Sequence, residues 1–198
     1  MTRITLLSIA AASLIGLTPA SVSANTALYE VPPPDDAVFV RWLNTSATPR
    51  ALGVDVAPAR AAPGEFGHFP ASASDTASAG AHFSVVADAD GHAHLVEEPV
   101  RDALGKVHLL LINATDVPVR MVVAEGGSEV IPATDPLTSG MRAVNPVTAT
   151  LAIVNAISGD EIGTATLVLR RGQDVTLLVT SRNVEVIEDG FGAGPLLD

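Results

Sequence analysis

The chain has 198 residues, with 22 acidic against 11 basic side chains, a single lysine (Lys106) and a formal net charge of −11. Phosphate binding depends on clustered Lys and Arg, so this balance argues against nucleic acid, and it disfavours charge-driven association with an acidic polysaccharide or an anionic lipid surface. Cysteine is absent, so burial alone must hold the fold, and with few aromatics (Trp42, Tyr29 and five Phe) the core falls to Val, Leu, Ile and Ala, which leans towards strands.

Residues 1–24 carry the pattern of a cleavable export signal. Arg3 gives a positive start, Ile4 to Leu17 form an apolar run broken only by Thr5, Ser8, Ser13 and Gly16, and Pro19 ends it. Val22-Ser23-Ala24 then offers small residues where a signal peptidase reads. The run is too short for a stable transmembrane helix, and no later stretch reads as a span. A buried core helix is the alternative. Arg3 is the one charge in this segment, so cleavage after Ala24 takes the formal charge to −12 and places the mature chain outside the cytoplasm.

A short lead-in follows, Ala27 to Asp36, which Pro32-Pro33-Pro34 holds extended. Ala37 to Asn44 reads as a strand with Val38, Val40 and Trp42 on one face and Phe39, Arg41 and Leu43 on the other. A second strand is expected over Ala51 to Val56, stopped by Pro58 and Ala62-Pro63-Gly64. Others are expected at Glu65 to Phe69, His82 to Asp88 and His92 to Glu97, the last two joined by an Ala89-Asp90-Gly91 turn. Residues 71–80 (ASASDTASAG) are polar and of low complexity, an exposed loop. Further strands are expected at Val107 to Asn113, Val117 to Ala124, Glu129 to Ile131, Thr148 to Asn155, Gly163 to Arg170, Asp174 to Thr180 and Asn183 to Ile187. No segment shows a sustained helical period with caps.

Short strands with frequent turn signals indicate an all-β chain: two small β-sandwich domains in tandem, immunoglobulin-like or carbohydrate-binding-module-like. The expected boundaries are 25–98 and 106–190, with a linker at 99–105 around Pro99 and a flexible tail at 191–198. The halves look duplicated. Val38 to Asn44 aligns with Val107 to Asn113 at an offset of 69, and Gly80-Ala-His-Phe-Ser-Val-Val resembles Gly172-Gln-Asp-Val-Thr-Leu-Leu. Chance likeness between two period-two strands is the alternative.

Catalytic chemistry is hard to find. There is no cysteine, no Gly-x-Ser-x-Gly elbow and no Gly-Asp-Ser; Ser158-Gly159-Asp160 has the letters in the wrong order. His92 and His94 lie two apart near Asp88 and Asp90, which suits a metal pocket. The same residues suit a hairpin turn with polar rings outside, and this is preferred because nothing supplies clear third and fourth ligands. No metal and no cofactor is expected. Trp42 lies on an apolar face and reads as core rather than a sugar-stacking platform. Asn44, Asn113 and Asn155 close strands and are expected to bond the turns that follow. Ser139-Gly-Met-Arg-Ala-Val-Asn-Pro146 is either an inter-strand connection or a partner-facing loop, with Arg142 and Asn145 as partner-binding candidates.

The stretch from Ala27-Leu-Tyr to Arg41-Trp-Leu-Asn44, together with Leu109-Leu-Leu-Ile-Asn113 and Ser139-Gly-Met-Arg-Ala-Val-Asn-Pro-Val147, resembles the alginate O-acetylation protein AlgF family over about Ala27 to Ile187. The 71–80 segment and the Gly-rich tail after Asp189 find no match. The resemblance implies a periplasmic, non-catalytic accessory subunit that serves exopolysaccharide O-acetylation, of alginate or a similar polymer. Its implied partners are periplasmic O-acetyltransferases and a membrane acetyl-export protein, with the polysaccharide itself a further possibility. A stand-alone carbohydrate-binding or adhesive module is the alternative function, and a metal-dependent esterase using His92 and His94 is a third.

Overall fold

The computed structural model describes residues 32–47, 50–54, 56, 64–103 and 105–197. The expected export signal and the Ala27-Leu-Tyr start lie outside these residues. Thirteen strands are described: β1 (Ala37–Trp42), β2 (Glu65–Pro70), β3 (His82–Ala87), β4 (Ala93–Glu98), β5 (Val107–Asn113), β6 (Val119–Val123), β7 (Glu129–Thr134), β8 (Ser139–Val144), β9 (Thr148–Asn155), β10 (Glu161–Val168), β11 (Asp174–Val179), β12 (Val184–Glu188) and β13 (Gly190–Pro195). The protein is all-β. Among the described residues no helix is long and apolar enough to cross a membrane.

The strands form three sheets, ordered β13-β2-β1-β3-β4, β12-β11-β5-β8 and β10-β9-β6-β7. The middle one, β12-β11-β5-β8, is covered on both faces. Its centre is β5, all seven residues of which are buried, as a near-continuous apolar run requires when both faces pack. Val107, Leu109 and Leu111 enter a core with Met121, Ile131, Leu151 and Ile153 of the β10-β9-β6-β7 sheet. Leu110 and Ile112 face the other way, against Val86 and Val96 of the N-terminal sheet. A third core lies on that sheet's far side, where Val38, Val40, Trp42 and Phe69 gather.

The two sheets that share the inner core have the same topology. In the N-terminal sheet β1 pairs antiparallel with β2 and parallel with β3, which pairs antiparallel with β4. In the middle sheet β5 pairs antiparallel with β8 and parallel with β11, which pairs antiparallel with β12. Register agrees as well. Arg41 lies opposite Ser84 and Leu110 opposite Thr176, the pairs that the sequence alignment of the halves equates. Parallel neighbours reached through different connections do not follow from period-two patterning, so the match supports duplication over chance likeness.

The halves differ in what covers their outer faces. The second carries two extra hairpins, β6–β7 and β9–β10, whose pairing through β6 and β9 builds a complete sheet. Among the described residues the first has no strand at those places. Arg50–Leu52 is a 3-10 turn, which corrects the expected strand over Ala51 to Val56: Gly53 takes φ +69° and breaks the extended run. Leu52 and Val56 are nonetheless buried, and Asp55 is outside the described residues. The 71–80 segment is a partial roof rather than a wholly exposed loop. Ala71–Ala73 forms a second 3-10 turn, Ala71, Ala73 and Ala77 pack on the Trp42 core, and the Ser74 hydroxyl donates to the Leu52 carbonyl at 2.8 Å.

Two strands were not legible as strands. Ser139–Val144, read as a connection or loop, is β8 at the edge of the middle sheet, and Gly190–Pro195 forms β13 in parallel with β2. Gly140 explains how β8 fits: a Cβ there would lie 2.7 Å from Ile131 Cγ2 and 2.8 Å from Thr134 Oγ1. The Asn residues act partly as expected. Asn113 and Asn155 bond the turns after their strands, whereas Asn44 bonds both backbone groups of Ala87. Gly140→Ala should cost about 1–3 kcal/mol through overpacking between β7 and β8, read as a lower urea midpoint with an unchanged slope.

Candidate functional site

Arg41 sits on the inner face of β1, opposite the face that carries Val40 and Trp42, and is fully buried. Strand alternation puts it there, and an isolated charge there would be prohibitive without partners. It has a full set. Nε donates to Ser84 Oγ at 2.8 Å and Glu98 Oε1 at 3.0 Å, and one terminal nitrogen also meets Glu98 Oε1 at 2.8 Å. That nitrogen donates to Thr176 Oγ1 at 2.7 Å, while the other binds Asp189 Oδ1. Ser84 and Thr176 occupy equivalent places in the two halves, and Glu98 and Asp189 follow β3 and β11 at equivalent places in β4 and after β12. One hydroxyl and one carboxylate from each half therefore close on a single guanidinium. Its carbon lies 4.5 Å from the centre of the Phe66 ring, a cation–π contact.

Arg101 extends this network outwards. It donates to Glu98 Oε2 at 2.6 Å and Asp189 Oδ2 at 2.9 Å from one terminal nitrogen, and its Nε stands 3.4 Å from Asp174 Oδ2. Burial works against its charge, but Glu98 and Asp189 more than offset this and hold its pKa above the ordinary value. Beside it opens a cleft of about 320 Å³ lined by His82, Arg101, Lys106, His108 and Asp174, with Val100 and two glycines. His108 Nδ1 and Asp174 Oδ1 are 2.7 Å apart. At the equivalent register in the other half, His82 stacks on Phe39 with ring centres 4.6 Å apart. Burial first, then Arg101, holds the His82 pKa below its usual value.

The far end of the same interface carries a second, polar cleft of about 440 Å³ between the turns Asp88–Gly91 and Thr180–Asn183. Here the structure brings His92 and His94 to one carboxylate. His94 Nε2 lies 2.7 Å from Asp88 Oδ2 and His92 Nδ1 3.6 Å from it. Asp88 Oδ1 accepts the backbone N–H groups of Asp90 and His92. Asp88, Asp90 and His92 each present a ligand atom within 4.8 Å of the others, but the Asp88 oxygens already serve the turn and His94. The hydrogen bond from His94, then those from the turn amides, lower the Asp88 pKa to about 2.

Arg142 and Asn145 lie on and just beyond β8. Arg142 is exposed and donates to the Val130 carbonyl at 3.2 Å; Asn145 accepts from Lys106 Nζ at 2.6 Å. Among the described residues no serine joins a histidine and an acid. Ser84 is bonded to Arg41 and Glu98, and the His108 ring pairs with Asp174. Sequence reading missed Arg101, His108, Asp174 and Asp189. The available signals were a histidine inside the apolar run Val107 to Asn113 and an arginine inside the strand Ala37 to Trp42.

A duplicated all-β scaffold whose interior charges bind one another defines a β-sandwich protein. The family described as alginate O-acetyl transferase AlgF matches residues 9–176, and the chain belongs to that family. It is 29% identical over 179 residues to the alginate biosynthesis protein AlgF of Azotobacter vinelandii, covering 83% of this chain and 82% of the relative. The C-terminal domain of AlgF from P. aeruginosa aligns with 42% of this chain and 96% of its own length at 23% identity, with a TM-score of 0.37.

Removing the arginine at the centre of the network should strand two buried carboxylates. Arg41→Met is expected to cost about 3–5 kcal/mol, whereas the exposed Arg142→Met should stay within about 0.5 kcal/mol, both by urea unfolding. For the turn, an NMR titration of Asp88 should give a midpoint of about 2, moving back towards 3.8 in His94→Ala. Because the folded pKa is depressed, the stability that Asp88 adds is complete above pH about 4 and fades as pH falls towards 2.

Proposed function

We propose that this chain is a non-catalytic periplasmic accessory subunit for O-acetylation of an exopolysaccharide, alginate or a similar polymer. It acts by protein–protein contact with the acetyltransferase machinery and an acetyl-export partner. Residues 25–98, closed by β13, and residues 106–190 serve as its two halves after cleavage behind Ala24. Family membership sets the process, and the name of the Azotobacter relative points to alginate.

The observation that carries the non-catalytic reading is the commitment of the buried polar groups to one another. Ser84, a fully buried hydroxyl in the interface, is held by Arg41 and Glu98, so it lacks the free base that an acyl-transfer nucleophile needs. Catalytic serine chemistry then belongs to partners. Arg142 suits partner contact because it is exposed on an edge strand of an acidic protein with few cations. Deletion of the chain in its source organism should leave polymer yield unchanged and bring polymer acetyl content down to background. Unchanged acetylation would sink the reading.

A further inference from the structure

At one end of the interface between the halves, rings take the place of aliphatic side chains. His68, Phe39 and His82 lie side by side across β2, β1 and β3. Phe39 stacks on His82 at 4.6 Å and tilts against His68 at 6.4 Å. The Phe66 ring meets His82 edge-on at 5.3 Å, and both guanidiniums approach that same ring, Arg41 at 4.5 Å and Arg101 at 5.4 Å. The cleft that His82 lines is also lined by Lys106, His108 and Asp174 of the other half. His82 Nδ1 lies 3.0 Å from the Gly80 carbonyl. A carbonyl only accepts, so Nδ1 carries the hydrogen and an added proton goes to Nε2.

Charge decides what that proton does. At neutral pH the cations here, Arg41, Arg101 and Lys106, are matched by the carboxylates Glu98, Asp174 and Asp189. Those carboxylates are already engaged: Glu98 and Asp189 each hold Arg41 and Arg101, and Asp174 holds His108 and Arg101. A protonated His82 arrives as one cation too many beside two guanidiniums. Glu98 and the Gly80 carbonyl favour the charge, and Phe39 offers a cation–π contact of about 0.5–1 kcal/mol. Burial first, and then Arg101, outweigh them and keep the ring from holding its proton as an ordinary histidine does. His68 and His108, the other titrating rings at this end, add charge in the same sense on acidification. We propose that this end of the interface is an acid-sensitive latch between the halves, closed while the His82 ring is neutral and loosened once Nε2 takes a proton.

The latch does not depend on the accessory role, so acetylation plays no part in its test. Urea unfolding of residues 25–198 is followed from roughly pH 8 to pH 5 for the wild type, His82→Phe and His82→Gln. The glutamine keeps a donor for Gly80 and serves if phenylalanine disturbs the stack. A folded ring that binds its proton more weakly than a free histidine at 6.5 gives stability that is complete above that pH and is lost as pH falls below it. The wild-type unfolding constant should therefore climb relative to both variants below pH 6.5, by up to about tenfold per pH unit, and run parallel to theirs above. Asp88, His68 and His108 titrate in all three proteins and cancel in the comparison. Amide exchange locates the change: protection, corrected for intrinsic rates, should fall at residues 82–84 and 174–176 between roughly pH 7.5 and 5.5, and fall less in the variants. Parallel urea profiles over the whole range, or protection lost equally in the variants, overturns the proposal.

Discussion

Everything else in the structure is arranged around one buried guanidinium. Arg41 accepts no substitute for its position, because each of its partners is itself buried and cannot turn to water. Buried ion pairs add little net stability, since desolvation offsets attraction. Their geometry is another matter. A fork of donors bound to a hydroxyl and a carboxylate from each half fixes how the two sheets slide and rotate against one another. Apolar contacts such as Leu110 and Ile112 against Val86 and Val96 are far less directional.

Duplication explains how such an interface arises and why the chain is lopsided. Two sheets that share a four-strand topology, β13 aside, face each other through quasi-equivalent positions, so Ser84 meets the same arginine as Thr176. Among the described residues only one half carries β6–β7 and β9–β10, which pair into a full covering sheet. The other half covers its outer core with 3-10 turns and small alanines. The same period-two apolar face is thus buried under a sheet in one half and under loops in the other.

Local patterning made most strands legible, because alternation and turn residues act over a few positions. Val38, Val40 and Trp42 share a core as their spacing implies, and the two-strand correspondence between halves carries through to register. The charged interior was illegible for the opposite reason. Arg41 finds its partners 43, 57, 135 and 148 residues away, and no local rule connects such distances. The stretch Ala51 to Val56 misled because its apolar residues are buried without being extended. β8 and β13 were hidden by their glycines, which weaken strand propensity but permit the close approach that Ile131 and Thr134 make at Gly140. The His92/His94 pair was noticed, yet its meaning lay in Asp88, whose bonds to both the turn and His94 emerge only once β3 and β4 are paired.

The last strand has a consequence for how the chain comes together. β13 runs parallel to β2, and Leu196 behind it fills the space that Gly67 leaves open, joining the Trp42 core of the N-terminal half. The half that is synthesised first is therefore finished last. Its edge stays open, and part of its core unfilled, until residues 190–196 arrive; closing so long a loop is slow. A chain stopped between Glu188 and Gly190 already has every strand of its second half, while its first half still lacks the edge strand β13 and the Leu196 side chain.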